Sequence, residues 1–415
     1  MTDLMALGRK AKKAKYYMNS LDCETKNEAL LKIADDIKAD YESIIAANNI
    51  DIDNGIKKNM HEGLLDRLRL TKSRIDAMAD GLVQITKLED PIGRVLEERV
   101  LYNGLGLKKI SVPLGVIGII YESRPNVTAD AFGLTFKSGN AVILKGGSDA
   151  INSNIAIANR IRKSLDELNI NPDVIQLIED TDRSVTTEFM KMKEYVDVLI
   201  PRGGAGLIRS VVENSLIPVI ETGTGNCHIY IDATADIEKA IDIVFNAKTQ
   251  RIGVCNACES LVVHKDILEA FLPRLEERLK EKSVELHADK ASAEYLENCI
   301  PACDEDYMTE YLDYKLSIKT VSSVTEAIEH INECSTHHSE SIISETPKNI
   351  ELFLKEIDSA CVYANASTRF SDGFEFGLGA EIGISTQRLH ARGPMGLKEL
   401  TTYKYTINGN GQVRG

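Results

Sequence analysis

Residues 115–146 read GVIGIIYESRPNVTADAFGLTFKSGNAVILKG. An unbroken apolar run, GVIGIIY, is followed by a segment of helical pattern, and then by a second apolar run, NAVILKG. The same alternation continues through SNIAIANRIRKSLDEL (153–168), DVIQLIE (173–179) and VDVLIPRGGAGLIRSVVE (196–213). Continuous apolar strands alternating with helices predict a parallel sheet covered on both faces. In such sheets ligands bind beyond the carboxyl ends of the strands. A second α/β region begins near Cys227, with HIYIDA, a helix around IEKAIDIVFNAK, and SLVVH. The chain shows no internal repeat and no low-complexity tract.

Upstream, KNEALLKIADDIKADYESIIAANNIDI places Leu30, Ile33, Ile37, Ile44 and Ile45 near helical spacing, and LLDRLRLTKSRIDAMADGLVQI repeats the amphipathic pattern. Between helices and sheet, EERVLYNGLGLKKISVP alternates and is expected to turn tightly at Asn103-Gly104. The terminal LTTYKYTI also alternates.

At 415 residues the chain predicts two or three domains. With 43% apolar and 27% charged residues it is globular. A net charge of −14, from 49 basic and 63 acidic side chains, argues against a nucleic-acid or anionic-membrane surface, so an anionic ligand must be held by local donors. The longest apolar stretch, VPLGVIGIIY, is about half of what spans a bilayer. The basic amino end, MTDLMALGRKAKKAKYYMNS, raises a transit-peptide reading, but it runs into a helix-periodic segment with no cleavage-like region. Eight cysteines spread through the chain, at 23, 227, 255, 258, 299, 303, 334 and 361, are expected to be reduced cytoplasmic thiols.

Two strand-end loops carry candidate ligand contacts. The turn at Gly203 and Gly204 could set backbone N–H groups against a phosphate or nicotinamide group, although such turns also serve simply to pack helix on strand. Lys145 ends the strand AVILK and is followed by Gly146, Gly147 and Ser148, with no acidic side chain at the tip. Lys145 with Ser148 suits a 2′-phosphate better than a free ribose hydroxyl, which points to NADP.

RIGVCNACES (251–260) holds two cysteines three positions apart. Cys255 and Cys258 could join Cys299 and Cys303 in a zinc site, could form a redox pair, or could be one nucleophile with an incidental neighbour.

QRIGVCNACESLVVH resembles the nucleophile segment of the aldehyde dehydrogenase superfamily. The rest resembles the γ-glutamyl phosphate reductases within it, through IIYESRPNVTADAF, VILKGGSDAINSN, IPRGGAGLI, ETGTGNCHIYID, DEDYMTEYLDYKLSIK, VTEAIEHINECSTHHSESI and FEFGLGAEIGISTQRLHARGPMGLKELTTYKY. The likeness covers essentially the whole chain. It departs at Cys334, where the family usually has His or Tyr.

The resemblance implies an α/β, aldehyde dehydrogenase-like fold. Residues 1–97 and 113–226 would form a Rossmann-type cofactor domain, 227–385 the catalytic domain, and 98–112 with 386–415 a β-strand oligomerisation flap. It implies NADPH-dependent reduction of L-glutamate 5-phosphate to L-glutamate 5-semialdehyde with release of phosphate, through a Cys255 thioester. Because an unperturbed thiol has a pKa of about 8.5, nearby cations or N–H donors should favour the thiolate. Asn126 and the Cys255 N–H would form an oxyanion hole. Lys145, Ser148, Gly203, Gly204 and Glu310 would lie on the cofactor side. Arg124, Arg388 and Arg392 are candidates for the substrate anions. Glu221, where hydrolytic relatives keep a general base, has no water to activate in a reductive reaction. His337 and His338 are candidates for a supporting role. No metal is implied. The resemblance further implies a homodimer or homotetramer, and contact with glutamate 5-kinase to transfer the labile acyl phosphate. A hydrolytic aldehyde dehydrogenase and a non-catalytic zinc protein stand as alternatives.

Overall fold

The computed structural model describes residues 3–414, which divide into two compact units. The first holds the chain as far as Thr222, Gly377–Gly383 and the residues from Met395 on, while the second holds Gly223–Phe376 and Ile384–Pro394.

In the first unit a four-stranded parallel sheet runs in the spatial order Ile175–Leu177, Ala141–Gly146, Val116–Tyr121, Val198–Arg202. Every residue of Val116–Tyr121 and Ala141–Gly146 is buried, as expected of strands covered on both faces. The chain winds outward from Val116–Tyr121 on one side and then reverses to set Val198–Arg202 on the other. The crevice at such a reversal is where open α/β sheets take ligands. Val127–Lys137 and Ile151–Glu167 supply crossover helices. The amino end of the latter is fixed by the buried Asp51, whose carboxylate accepts from the Ser153 N–H at 2.8 Å and its hydroxyl at 2.6 Å. The unpaired N–H groups of a helix start offset the cost of burying that charge.

The periodic segment around residues 26–52 forms two helices, Cys23–Ala39 and Tyr41–Lys57, with Asp40 ending one and starting the next. Leu30, Ile33, Ile37 and Ile44 are fully buried, whereas Ile45 is half-buried. Lys72–Lys87 follows the same rule, burying Ile75, Met78, Leu82 and Ile85 behind a Thr71 cap. The basic amino end is a helix, Leu4–Met18, capped by Asp3 and packed through Ala11, Ala14 and Met18, so it is an integral element of this unit. Met1, Thr2 and Gly415, the outer ends of the expected first and last segments, lie outside the described residues.

A separate antiparallel sheet joins Val95–Val100, Gly106–Pro113 and Thr401–Asn408, with Thr401 opposite Pro113 and Asn408 opposite Gly106. The expected two-residue turn is instead a three-residue one. Leu101 N–H bonds the Leu105 carbonyl at 2.8 Å, and only Gly104, at φ 82°, is left-handed. Asn103 accepts from the Leu105 N–H through its side chain, so glycine alone meets the steric demand.

The expected segment 386–415 is divided between the units. Ile384–Ser385 pairs with Gly393–Pro394 in the second unit, and the chain from Met395 on belongs to the first.

The second unit is built on a seven-stranded parallel sheet in the order Ile300–Pro301, Glu285–Ala288, Lys315–Val321, Cys258–His264, Cys227–Ile231, Ser339–Ile343, Cys361–Ala364. Side-chain alternation decides its two faces. Ile229, Ile231, Leu261 and Val263 pack against Ile237–Thr249 and Leu268–Lys280. Tyr230, Val262 and Ile342 pack the other way, against Val324–Cys334 and Pro347–Glu356.

Candidate active site

The cysteine pair separates on burial. Cys258 opens the central strand Cys258–His264, is fully buried among apolar side chains, and has its thiol pushed up to about 12 by that burial. Such a thiol is inert. Cys255 lies three residues earlier, in the loop before the strand, and is half-buried. Cys227, on the neighbouring strand, is buried with its thiol also raised by desolvation, and it donates to the Cys255 carbonyl at 3.1 Å. Of these three thiols Cys255 alone is accessible. Cys299 is half-buried and Cys303 exposed, and among the described residues no three His, Cys, Asp or Glu side chains are placed to hold a metal ion.

Gly225 is the hinge of this site, and the sequence alone did not single it out. A Cβ at 225 would lie 2.5 Å from the Cys255 Cα and closer still to its carbonyl, so the two backbones are in direct apposition. The Gly225 N–H donates to Glu310 Oε1 at 2.7 Å. Thus ETGTG, RIGVC and TEYLD meet at one residue. Glu310 follows a 3₁₀ turn, Asp304–Met308, and is a half-buried loop carboxylate. Burial raises its pKa, while the Gly225 N–H and His338 oppose the shift. Its loop is braced by Glu259, which accepts from the Leu312 N–H at 3.2 Å and forms a fully buried ion pair with Lys248. Desolvation pushes Glu259 up to about 7 despite that lysine.

Asn226 and Asn256 tie down the flanks. Asn226 donates to the carbonyls of Tyr307 (2.7 Å) and Cys334 (3.1 Å), and Asn256 to those of Ser371 (2.8 Å) and Arg369 (3.3 Å). Cys334 contributes to the site through its backbone. The two histidines diverge: His338 is buried, with Nδ1 2.8 Å from Ser339 Oγ and 3.7 Å from Cys227 Sγ, while His337 takes a left-handed conformation. Arg392 donates to the Asp358 carboxylate and carbonyl, both at 2.9 Å, and Arg388 pairs with the same carboxylate. An acid of the protein thus engages both guanidinium groups, and each keeps further N–H donors that a substrate anion could use.

In the first unit, strand register collects the other candidates at one sheet edge. Ile120 lies opposite Lys145 and Pro201, and Tyr121 opposite Gly146 and Arg202, so the loops bearing Arg124, Asn126, Ser148 and Gly203 all leave the same carboxyl edge. Lys145 is 4% exposed, bonds the Gly146 carbonyl at 3.1 Å, and has its pKa lowered by desolvation. Asp149 does supply an acid one residue past Ser148, but it faces Lys58 at 3.7 Å, which offsets its charge. At the crevice itself the Gly204 N–H donates to Glu122 Oε2 at 2.8 Å. A carboxylate thus caps that helix start, and a cofactor phosphate cradled at Gly204 would have to displace it. A Cβ on Gly203 would sit 2.6 Å from the same carboxylate oxygen.

Asn126 precedes the helix Val127–Lys137 and donates through Nδ2 to Asp130 Oδ2 at 2.9 Å, leaving its second amide hydrogen for another acceptor. Asp130 is pushed up to about 6 by burial, against the pull of Asn126 and Arg202. Both residues line a small cavity of about 80 Å³ with Arg124, Arg202 and Glu381.

Residues 2–293 match the aldehyde dehydrogenase family model. The chain is 60% identical over 414 residues to the γ-glutamyl phosphate reductase of Lachnospira eligens, covering all of both chains, and 54% identical over 417 residues to that of Agathobacter rectalis, again in full. The crystal structure of γ-glutamyl phosphate reductase from Thermotoga maritima superposes with a TM-score of 0.97 at 47% identity over the whole of both chains. An acetylating aldehyde dehydrogenase from Geobacillus thermoglucosidasius, at 17% identity and a TM-score of 0.70, shares the fold over 100% of this chain and 98% of its own. With its accessible cysteine framed by buried ones, its two parallel sheets and these full-length relatives, the chain belongs to the aldehyde dehydrogenase family, in its γ-glutamyl phosphate reductase branch.

Proposed function

We propose that the chain catalyses NADPH-dependent reduction of L-glutamate 5-phosphate to L-glutamate 5-semialdehyde with release of phosphate, the second step of proline biosynthesis from glutamate. The observation that carries this reading is Cys255: an accessible thiol in the family's nucleophile segment, backed by Gly225 and flanked by two thiols that burial makes inert.

Cys255 attacks the acyl carbon, the bond from that carbon to the phosphate oxygen breaks, and phosphate leaves with the electron pair. A soft thiolate suits this electrophile, and the product is a thioester on Sγ. The Cys255 N–H and the free amide hydrogen of Asn126 are assigned to the oxyanion, where losing one donor typically costs about 10²–10³ in rate. A nicotinamide cofactor, when bound, would supply the hydride for the thioester, with Cys255 Sγ leaving as the thiolate. Lys145 fits the cofactor's phosphate or ribose group, because a nearly buried ammonium whose hydrogen-bond partner among the described residues is one carbonyl, with Asp180 acting on it electrostatically, keeps donors for an anion or hydroxyl. Lys145 and Ser148 support the choice of NADP. Glu310, held by Gly225, is assigned to the nicotinamide ribose, and its second oxygen is available for a hydroxyl.

The reductive route needs no water activated at Glu221. Among the described residues no helix is long and apolar enough to cross a membrane, which is consistent with the proposed cytoplasmic site. We further propose a homodimer or homotetramer assembled through the three-stranded flap, whose Val100, Tyr102 and Ile407 are more than half exposed, and contact with glutamate 5-kinase for transfer of the acyl phosphate.

Incubating the protein with semialdehyde, NADP and inorganic phosphate tests the reaction in reverse. Cofactor reduction that depends on phosphate supports the reading, and reduction at full rate without phosphate overturns it.

A further inference from the structure

The loop that carries Cys255 is bound along its length to a second loop. Arg369 Nε donates to Gln250 Oε1 at 2.9 Å, Thr368 Oγ1 donates to the Asn256 carbonyl at 2.8 Å, and Asn256 Nδ2 donates to the carbonyls of Arg369 and Ser371. These bonds hold the half-buried Arg369 guanidinium beside the exposed Arg251, within electrostatic reach of the Cys255 and Cys227 thiols. Asp372 is the acid in reach of Arg369, yet among the described residues neither arginine has a carboxylate at ion-pair distance. In a chain of net charge −14, two neighbouring guanidinium groups without an ion-pair partner are conspicuous. Arg388 and Arg392, by contrast, share one carboxylate.

Like charges held together raise the energy of the empty site and lower that of an anion-filled one. Planar guanidinium forks match phosphate oxygens in pairs, which makes arginine the suitable residue here. We propose that Arg251 and Arg369 form the subsite for the phosphoryl group of the acyl phosphate and for the inorganic phosphate that Cys255 displaces. The assignment rests on the reductase reading above and adds to it the residues that receive the leaving group. In the forward direction the pair draws charge from the breaking carbon–oxygen bond onto the departing phosphate. In reverse it holds phosphate for attack on the Cys255 thioester. Sequence alone gave no sign of it, because the residues are separated by more than a hundred positions and each is an ordinary loop arginine.

The test is protection of Cys255 from iodoacetamide by inorganic phosphate in the full-length protein, read by peptide mapping. Phosphate should slow alkylation of the unmodified protein. The half-protecting concentration should rise at least about tenfold in Arg369→Ala and in Arg251→Ala, with Arg369→Lys between. In steady state, KM for phosphate should rise by a similar factor while KM for the semialdehyde stays within about twofold. Arg251 is exposed, so its variant keeps the test decisive if Arg369→Ala does not fold. No protection in the unmodified protein, or equal protection in Arg251→Ala and Arg369→Lys, would overturn the proposal. Phosphate-independent reduction of NADP by the unmodified protein would instead refute the reductase reading, and the protection data would still report on the anion site.

Discussion

Replacing Gly225 by alanine adds one methyl group where there is no room. Its Cβ would stand 2.5 Å from the Cys255 Cα, against an ordinary carbon–carbon contact of about 3.5–4.0 Å, and the atoms in the way are backbone. Because the Cys255 carbonyl would lie closer still, either the nucleophile loop or the Gly225 strand entry must move by at least about 1 Å, and the second movement also pulls the Gly225 N–H from Glu310. A 1 Å misplacement at a reacting centre costs about 10²-fold in rate, and overpacking typically costs about 1–3 kcal/mol of stability. Gly225→Ala should thus lose at least about 100-fold in kcat/KM for phosphate-dependent oxidation of the semialdehyde, with a lower Tm. Gly206→Ala is the matched control. Gly206 lies in the helix Ala205–Asn214 with nothing within 4 Å of an added Cβ, so it should keep full activity and gain about 0.5–1 kcal/mol. Full activity in Gly225→Ala would refute the claim that this apposition positions Cys255.

Three further outcomes follow from the first unit. Lys145→Glu should raise KM for NADPH at least about tenfold more than KM for NADH, and comparable kinetics with both cofactors in the unmodified protein would count against the assignment. Asp130 is held at about 6 against an ordinary 3.8, so the folded state binds its proton more tightly than the unfolded chain; its stabilising contribution is complete below about pH 4 and is lost as pH rises through 6. Ionising it at neutral pH costs about 3 kcal/mol at most, so Asp130→Asn, whose amide oxygen can still accept from Asn126, should raise Tm above pH 6 but not below pH 4. Removing residues from Thr401 onward deletes the strand paired with Gly106–Pro113 and should give monomer or aggregate by light scattering, with reduced activity; an unchanged, fully active assembly would contradict the flap proposal.

What was legible in the sequence was what local pattern and short spacing record. The runs GVIGIIY and NAVILKG became adjacent buried strands because continuous apolar sequence suits a sheet covered on both faces. The difference in burial between Cys255 and Cys258 also follows from the local pattern, since one precedes the strand and the other begins it. Long-range partners were not legible. Nothing local shows that Glu122 reaches the Gly204 N–H, that Asp358 engages both Arg388 and Arg392, or that Gly225 lies against a backbone 30 residues away. The turn at Asn103-Gly104 was misread in detail because the dipeptide specifies a left-handed residue without specifying loop length.

If Cys255 carries the acyl group, the intermediate can be trapped on it. The protein is mixed with semialdehyde and NADP in the absence of phosphate, quenched in acid, and the modified peptide located by mass spectrometry. A γ-glutamyl thioester should be found on Cys255, absent in Cys255→Ser, retained in Cys258→Ala, and discharged when phosphate is added. A glutamyl adduct on Cys258, or turnover in Cys255→Ser, would contradict that role for Cys255.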